Sequence, residues 1–319
     1  MEGNGTLGDA ARAGDRGALA RLLTIVENGG EAARQALAAL PCATAAGPRA
    51  ATVGLTGAPG AGKSTLTDRL VHSLRATGAT VGVLAVDPSS PFSGGAILGD
   101  RIRMAGHETD PGVFVRSMAT RGHLGGLARA TPQAVRVLEA AGFDWVLVET
   151  VGVGQVEIEV AGAADTTVVV LTPGAGDGVQ AAKAGLMEIA DVFAVNKADR
   201  DGVAATARDV RAVLSLAGAR AWTPPVVETV ATAGRGVDDL LAAVLAHREH
   251  LRASGELDAR RERRAADEVR ALVVEAALTR AGTVCAGADF ATVSARVARG
   301  DLDPYTAATL LEVASDEGA

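Results

Sequence analysis

Eight residues, from Gly57 to Ser64, have the types and the spacing of a phosphate-binding loop. They match the pattern G-x-x-x-x-G-K-[ST] throughout. Glycines let consecutive backbone N–H groups turn towards one anion, the lysine reaches the β- and γ-phosphates, and the serine hydroxyl ligates Mg²⁺. The pattern therefore predicts a site for a nucleoside triphosphate and magnesium. We expect the nucleotide to contact the motif and the residue after it: Gly57, Ala58, Pro59, Gly60, Ala61, Gly62, Lys63, Ser64 and Thr65.

Three carboxylates are placed where they could reach that metal. Asp87 and Glu149 each follow an apolar run typical of a strand, and Asp100 lies in a glycine-rich segment. The carboxyl ends of parallel strands line the ligand crevice of an α/β sheet, and Mg²⁺ prefers oxygen ligands. We predict that these carboxylates and Lys63 are the catalytic residues. The predicted metal ligands are one hydroxyl and the three carboxylates: Ser64, Asp87, Asp100 and Glu149.

The residues after Glu149 predict a sensor of the terminal phosphate. Glu149 and Gly152 have an acid-x-x-Gly arrangement, and a glycine there lets its backbone N–H approach the γ-phosphate. Residues 94–100 and 152–155 are also rich in glycine, so we expect both segments to move when that phosphate is lost.

A second motif, at residues 196–199, has the chemistry to select the base. Asn196, Lys197 and Asp199 fit the pattern N-K-x-D and follow an apolar run. An aspartate accepts from both N1–H and the 2-amino group of guanine, groups that adenine lacks, while the lysine stem covers the ring. The motif therefore predicts GTP rather than ATP. We expect the loop after the last strand to meet the guanine oxygen with its backbone N–H groups: Ala231, Thr232 and Ala233.

Short apolar runs alternate with helix-compatible stretches through the middle of the chain, which predicts a doubly wound, mostly parallel α/β sheet. We divide the chain into an N-terminal helical segment (1–50), a P-loop GTPase domain (51–250) and a C-terminal helical arm (251–319). The predicted strands are 52–56, 80–86, 113–116, 144–148, 166–171, 192–195 and 226–230.

Composition excludes several classes of function. The 319 residues carry a net charge of −7, which argues against a nucleic-acid binder, because proteins that neutralise phosphates are usually basic. Cys42 and Cys285 lie outside any metal or redox spacing, so we expect a reducing compartment. The first residues do not resemble a signal peptide, and no apolar run is long enough to span a membrane. These features predict a cytoplasmic protein with no membrane contact.

The motif-bearing segments together resemble one family. The strings at 57–65, 84–90, 94–104, 149–155 and 196–199 resemble the MeaB/ArgK family of P-loop GTPases, which includes the methylmalonic aciduria type A protein. The strings D-P-S-S and E-T-V-G-V-G-Q are far more specific than a phosphate loop alone.

The resemblance implies a function for the whole protein. It implies a GTPase that binds GTP and GDP, associates with adenosylcobalamin-dependent methylmalonyl-CoA mutase, and controls loading of the cobalamin cofactor and protection of the enzyme. It also implies a homodimer formed through the C-terminal helical arm. The resemblance does not separate methylmalonyl-CoA mutase from other acyl-CoA mutases as partners.

Two other functions stay open. One is an ArgK-like kinase linked to basic amino-acid transport, against which the base motif argues. The other is a metallochaperone GTPase, which would need a cluster of cysteine or histidine. We expect His247 and His250 to be solvated on an arginine-rich helix, and we expect 260–264 to be a solvated helix face.

Overall fold

The computed structural model is an α/β fold with helices on both faces of one sheet. It describes residues 3–40, 49–88, 105–107, 109–120, 126–150, 162–174, 186–216 and 221–316. The predicted site residues Asp100 and Gly152 lie outside these ranges, as does the side chain of Asp87.

Within the part of the chain that the structure describes, seven parallel strands form the sheet, in the order β3-β2-β4-β1-β5-β6-β7. The prediction of a parallel α/β sheet with seven strands is confirmed, and β2, β3 and β4 each continue beyond their predicted ends. Their bounds are β1 Ala51–Thr56, β2 Val81–Pro88, β3 Val113–Thr120, β4 Trp145–Thr150, β5 Thr166–Leu171, β6 Val192–Asn196 and β7 Val226–Thr229.

Helices precede, alternate with and follow the strands. Two short 3₁₀ turns, Ala105–His107 and Ala231–Ala233, lie between them. The helices are α1 Gly3–Arg12, α2 Arg16–Asn28, α3 Gly30–Ala38, α4 Lys63–Ala76, α5 Gly126–Ala140, α6 Leu186–Ile189, α7 Val203–Leu216, α8 Val237–Ser254, α9 Glu256–Ala286, α10 Ala288–Ala298 and α11 Pro304–Asp316.

Alternate residues of each strand pack into cores on opposite faces of the sheet, as the two-residue period of a strand requires. On β2, Val81 and Val83 pack with α4 and α8, whereas Leu84 and Val86 pack with α2 and α5. The N-terminal helices therefore cover one face of the sheet. A third core joins α7 to β5 and β6 around Phe193.

The chain divides into two compact units, Met1–Arg264 and Ala265–Ala319. The predicted division at residues 50 and 250 stays a prediction. The second unit contains the end of α9 with α10 and α11, and these surround an apolar cavity of about 380 Å³. Many large apolar side chains of this unit are exposed: Val269, Leu272, Val273, Val274, Leu278, Phe290, Tyr305 and Leu310.

One residue separates the first two of the C-terminal helices. The helix α9 continues to Ala286, and only Gly287 lies between it and α10. None of the described helices is by itself long and apolar enough to cross a membrane. The bent pair of α9 and α10, at 74°, reaches that length and composition only when both helices are combined.

The expectation that His247 is solvated is wrong. His247 is fully buried, because it shares the inner face of α8 with Leu240, Val244 and Leu251 at helical spacing. Its Nδ1 lies 2.9 Å from the Thr166 hydroxyl.

Two buried carboxylates at the amino-terminal ends of β5 and β6 bind the start of α9. Arg260 donates two hydrogen bonds to Asp191, and Arg261 and Arg264 both donate to Asp165. The expectation of a solvated face is therefore wrong for these three arginines. These ion pairs cannot be predicted from the sequence, because the partners lie about 70 to 100 residues apart and meet only in the folded chain.

Contacts with arginine, and for Asp191 also with His247, favour the ionised form of both carboxylates. Burial by itself raises the pKa of Asp165, but hydrogen bonds and charges from Arg261 and Arg264 outweigh burial and leave that pKa below its ordinary value. Burial likewise opposes ionisation of Asp191, and contacts with His247 and Arg260 bring its pKa below the ordinary value.

Candidate nucleotide-binding site

The strand order brings the separate motifs to one edge of the sheet. Glu149 on β4 is in register with Leu55 on β1, one residue before the strand leads into the phosphate loop. On the other side of β1, Thr56 is in register with Val169 on β5, and β6 with Asn196 at its end follows next. The phosphate and base motifs therefore meet at the carboxyl ends of neighbouring strands, as expected for this architecture.

Two glycines of the phosphate loop are required by close packing. Gly57 has φ 139°, and a Cβ there would lie 2.2 Å from the carbonyl oxygen of Val170 on β5. Gly62 has φ 92°, and a Cβ there would lie 2.3 Å from the side-chain nitrogen of Asn196. A side chain at either position would separate the loop from the strand that supports it.

Lys63 lies across the phosphate loop as the first residue of α4. Its ammonium donates to the carbonyl oxygens of Gly57 at 2.6 Å and Ala58 at 3.1 Å, and the side chain is buried. A positive charge is therefore held within the curve of the loop, at the positive end of the α4 dipole. This geometry favours an anion on the loop.

Ser64 and Glu149 bring two predicted metal ligands together. The Ser64 hydroxyl donates to the Glu149 carboxylate at 2.5 Å, and both residues are buried. A hydroxyl and a carboxylate at hydrogen-bonding distance form a set of hard oxygen donors that suits Mg²⁺. Asp87 lies near the end of β2, two residues beyond Ala85, which is the register partner of Glu149. The fold therefore places the backbones of Asp87 and Glu149 on neighbouring strands.

Asn196 connects two loops and a strand at the point where the phosphate and base motifs meet. Its buried amide group donates to the carbonyl oxygen of Ala61 at 2.8 Å. Its amide oxygen accepts from the Thr229 hydroxyl and from the backbone N–H of Ala231. The side chain therefore connects the phosphate loop to β7 and to the loop that follows β7. Direct contact between Asn196 and the base stays a prediction.

The other base-motif residues lie towards solvent. Lys197 has φ 58°, a left-handed conformation, and its ammonium donates to the carbonyl oxygen of Gly60 at 2.7 Å. Its aliphatic stem therefore extends from the base motif to the phosphate loop. Asp199 is exposed in the turn that follows, where its carboxylate is available to a ligand. The roles of Lys197 and Asp199 at the base stay predictions, and the sequence motif gives no signal for the contact of Lys197 with the phosphate loop.

Arg69, which no motif identifies, contacts the predicted base loop. It lies six residues after Lys63 on α4 and donates to the carbonyl oxygens of Ala231 at 3.1 Å and Thr232 at 3.0 Å. The sequence gives no signal for this contact, because Arg69 lies outside the phosphate-loop pattern and its partners are more than 160 residues away.

A phosphate loop with a buried lysine and a separate N-K-x-D turn on one sheet defines the class of P-loop GTPases. The family model described as methylmalonyl Co-A mutase-associated GTPase MeaB matches residues 19–285. The chain belongs to this family. It is a GTPase, and the family predicted from the motif strings is confirmed.

Several known proteins are similar over most of the chain. A Pyrococcus abyssi protein whose name describes a GTPase is 50% identical, covering 93% of this chain and 92% of that protein. The Escherichia coli protein named GTPase ArgK is 38% identical, with 81% of this chain and 80% of that protein covered. The mouse protein named methylmalonic aciduria type A homolog, mitochondrial, is 40% identical over 66% of this chain and 52% of its own length.

A solved structure shares the architecture. It is the crystal structure of LAO/AO transport system kinase, with a TM-score of 0.71, 29% identity, and coverage of 98% of this chain and 97% of that one. The likeness supports the same α/β arrangement over nearly the whole length of the chain.

Proposed function

We propose that this GTPase is a magnesium-dependent chaperone of adenosylcobalamin-dependent methylmalonyl-CoA mutase, acting in cofactor loading and protection. The observation that carries the proposal is the family match over residues 19–285, which includes the phosphate loop, the Ser64–Glu149 pair and the base motif. The name of the mouse relative links it to methylmalonic aciduria, which supports the same assignment.

The residues present fit magnesium. We propose that Ser64, Asp87, Asp100 and Glu149 hold the ion, either directly or through water. When bound, the ion neutralises charge on the β- and γ-phosphate oxygens. The Ser64 hydroxyl, fixed at the start of α4 and in contact with Glu149, is the contact that supports this assignment.

The chain's own groups position and stabilise the triphosphate. Backbone N–H groups of the phosphate loop face the phosphates, and the Lys63 ammonium supplies positive charge beside them. The carboxylate of Glu149 lies at the carboxyl end of β4, where it can orient the attacking water or the metal. We place Lys63, Asp87, Asp100 and Glu149 in this hydrolytic centre, and Gly152 beside the γ-phosphate.

The base site selects guanine. We propose that Asp199 accepts from N1–H and the 2-amino group, that the Lys197 stem covers the ring, and that Asn196 contributes at its edge. The backbone of Ala231, Thr232 and Ala233 would then face the guanine oxygen. The contacts of Asn196 with Ala61 and Ala231 support this arrangement, since they hold the phosphate and base loops at a fixed distance.

Capture of the partner from native extract tests the chaperone role. Immobilised protein, loaded with GDP or with a non-hydrolysable GTP analogue, is exposed to extract, and bound proteins are probed for cobalamin enzymes. We expect methylmalonyl-CoA mutase to be retained to different extents with the two nucleotides. Retention of another acyl-CoA mutase would identify that enzyme as the partner in place of methylmalonyl-CoA mutase. Retention of no cobalamin enzyme would contradict the chaperone role. The Lys63→Ala variant, weakened in nucleotide binding, controls for nucleotide dependence.

A kinase function remains the second candidate, because the similar solved structure is titled a transport system kinase. A kinase consumes nucleotide only with an acceptor, whereas a GTPase releases phosphate from GTP alone. Phosphate release from GTP and from ATP, without any acceptor, separates the two. We expect release from GTP only.

We propose that the protein is a cytoplasmic homodimer assembled through its C-terminal helices. The exposed apolar side chains of Ala265–Ala319 support this proposal, because isolated apolar patches are costly in water. A chain that lacks Ala265–Ala319 still contains Arg260, Arg261 and Arg264, the three arginines that pair with Asp191 and Asp165. Sedimentation should show a dimer for the full chain and a nucleotide-binding monomer for the truncated chain. A monomeric full-length protein would contradict the proposal.

A further inference from the structure

Arg69 connects the phosphate-binding helix α4 to the loop that follows β7. Its Nε donates to the carbonyl oxygen of Ala231 and its Nη2 to that of Thr232. The guanidinium is planar, so two parallel donors hold two successive carbonyl groups in one orientation. The side chain is half-buried; its hydrogen bond to Ala231 is partly shielded from water, and its hydrogen bond to Thr232 is exposed.

Fixing these carbonyls also fixes the neighbouring N–H groups. A trans peptide unit is planar, and its N–H points away from its C=O. When Arg69 orients the carbonyls of Ala231 and Thr232, it orients the N–H groups of Thr232 and Ala233 in the same peptide units. The Ala231 N–H belongs to the preceding peptide unit and donates to Asn196, and the Ala233 N–H also donates to the carbonyl oxygen of Val230 within the turn. Arg69 on α4 therefore contacts the side of the loop that faces away from the proposed base site, and it orients the peptide groups whose N–H groups would point towards the base.

The rest of the loop is held from other sides. Asn196 accepts from the Ala231 N–H, and a backbone pair between Val230 and Arg235 closes the loop at its base. Gly236 follows with φ 74°, and a Cβ there would lie 2.1 Å from the carbonyl oxygen of Glu228. These contacts fix the two ends of the loop. Between them, the Ala231 carbonyl oxygen accepts from the Gly234 N–H as well as from Arg69, and the Thr232 carbonyl oxygen accepts from Arg69.

We infer that Arg69 is a positioning residue for guanine specificity, acting on the 6-oxo group of the base through Ala231–Ala233. The inference rests on the proposed role of that loop at the base. Arg69 itself lies behind the loop and does not touch the nucleotide. Because α4 also begins with Lys63 and Ser64, one helix then sets the geometry of both the phosphate site and the base site.

Three diphosphates distinguish positioning of the loop from general support of the fold. GDP and inosine diphosphate carry the 6-oxo group and N1–H, whereas 2-aminopurine riboside diphosphate lacks both and keeps the 2-amino group that Asp199 would bind. Because Arg69 contacts the loop and not Asp199, the change that an Arg69 substitution makes in the ratio of affinities reports on the 6-oxo contact. Dissociation constants are measured by calorimetry for the full-length protein and for Arg69→Gln. A ratio between nucleotides is taken within one folded variant, so a small loss of stability does not affect it.

We expect Arg69→Gln to raise the dissociation constants of GDP and inosine diphosphate by about tenfold each. The dissociation constant of 2-aminopurine riboside diphosphate should stay within about twofold of its wild-type value. Arg69→Lys keeps the charge but not the two-pronged geometry, so it should recover only part of the loss. Ser73→Ala is the matched control, because Ser73 links α4 to Asp238 at the start of α8 without touching the loop. It should change none of the three constants.

The possible contrary results separate the two proposals. If the wild-type protein binds GDP and 2-aminopurine riboside diphosphate equally well, the loop does not read the 6-oxo group, and both the loop assignment and the role of Arg69 fail. If the wild type prefers GDP to 2-aminopurine riboside diphosphate, but Arg69→Gln weakens the binding of all three nucleotides equally or of none, only the role of Arg69 fails. Should Arg69→Gln not fold, the same comparison with Arg69→Lys decides between these results.

Discussion

At the residue scale, the hydroxyl of Ser64 and the carboxylate of Glu149 are the contact between the proposed phosphate-binding and hydrolytic parts of the site. They lie 85 positions apart in sequence and 2.5 Å apart in space. Ser64 belongs to the helix that follows the phosphate loop, and Glu149 is the penultimate residue of β4, the strand beside β1. A change at Glu149 therefore alters the hydrolytic side of the site while the phosphate loop remains in place.

Replacing Glu149 tests this division. We expect Glu149→Ala to lower GTP hydrolysis by about 100-fold or more, because positioned charge is lost at the reacting phosphate. GTP binding should remain measurable, since the backbone of the phosphate loop is unchanged. Single-turnover hydrolysis and equilibrium binding measure the two effects. Glu149→Gln, which can still accept from Ser64, is the matched control for loss of charge alone. Equal loss of binding and hydrolysis would show that Glu149 holds the ground-state complex together.

Asp199 gives a prediction about the base. Asp199→Asn replaces an acceptor with an NH₂ donor facing the guanine amine, so GTP affinity should fall by about 2 to 4 kcal/mol. Xanthine carries an oxygen at that position, and the variant should prefer xanthosine triphosphate to GTP. Hydrolysis of GTP, ATP and xanthosine triphosphate by both proteins measures the change. If the wild type used ATP as readily as GTP and the variant changed neither, Asp199 would be a surface turn residue.

At the element scale, the phosphate loop depends on close packing against β5. The contact of Gly57 with the carbonyl oxygen of Val170 leaves no room for a side chain. Because β1 and β5 are paired neighbours, displacing the loop from β5 also disturbs the strand that leads into it. The loop is therefore supported by the sheet as well as by its own sequence.

The expected effect of Gly57→Ala follows from this packing. We predict a loss of GTP binding together with a fall in thermal stability, since the Cβ would overlap backbone that cannot move aside. Gly78→Ala is the control, because Gly78 also has a positive φ, 86°, but faces open space after α4. It should cost only about 1 kcal/mol and leave binding intact. Unaltered GTP binding by Gly57→Ala would mean that the loop is not held against β5.

At the scale of the whole molecule, buried ion pairs hold the first residues of α9 to the amino-terminal ends of β5 and β6. Asp165 and Asp191 are nearly inaccessible to solvent, at 2% and 6% exposure, and their arginine partners come from the start of α9. Removing one member of such a pair leaves a buried charge without its counterion, which is more costly than losing an exposed pair.

These pairs predict how stability depends on pH. The pKa of Asp165 is lower in the folded protein than its ordinary value of 3.8, so the pair makes its full contribution to the free energy of unfolding above about pH 5. The contribution is lost as the pH falls through the lower, folded-state pKa. We expect Asp165→Asn to destabilise the protein at pH 7 by about 3 kcal/mol and to make acid unfolding less steep. Urea unfolding between pH 7 and pH 3 measures both effects.

An exposed pair provides the comparison. Asp267→Asn breaks the solvent-exposed pair with Arg270, and we expect it to leave the urea midpoint unchanged at every pH. Similar effects of Asp165→Asn and Asp267→Asn would show that burial of the Asp165 pair has no energetic consequence.

The sequence by itself determined the elements and motifs, because these depend on local patterns. All seven strands could be predicted from short apolar runs, and the phosphate loop and the base motif from fixed spacings of glycine, lysine and aspartate. The family followed from the longer strings around these motifs, such as 149–155. Each of these signals lies within about ten residues of chain, so no knowledge of the fold was needed to read it.

Only the tertiary structure decided which distant residues meet. Strand order and register bring Arg69 to Ala231 and Asp165 to Arg261. They also place Asn196 between the phosphate loop and the loop after β7. The burial of His247 could not be seen either, since arginines beside it in sequence lie on another face of α8. Local pattern sets the face and the type of each element, but partners in space are fixed by the packing of elements that are far apart along the chain.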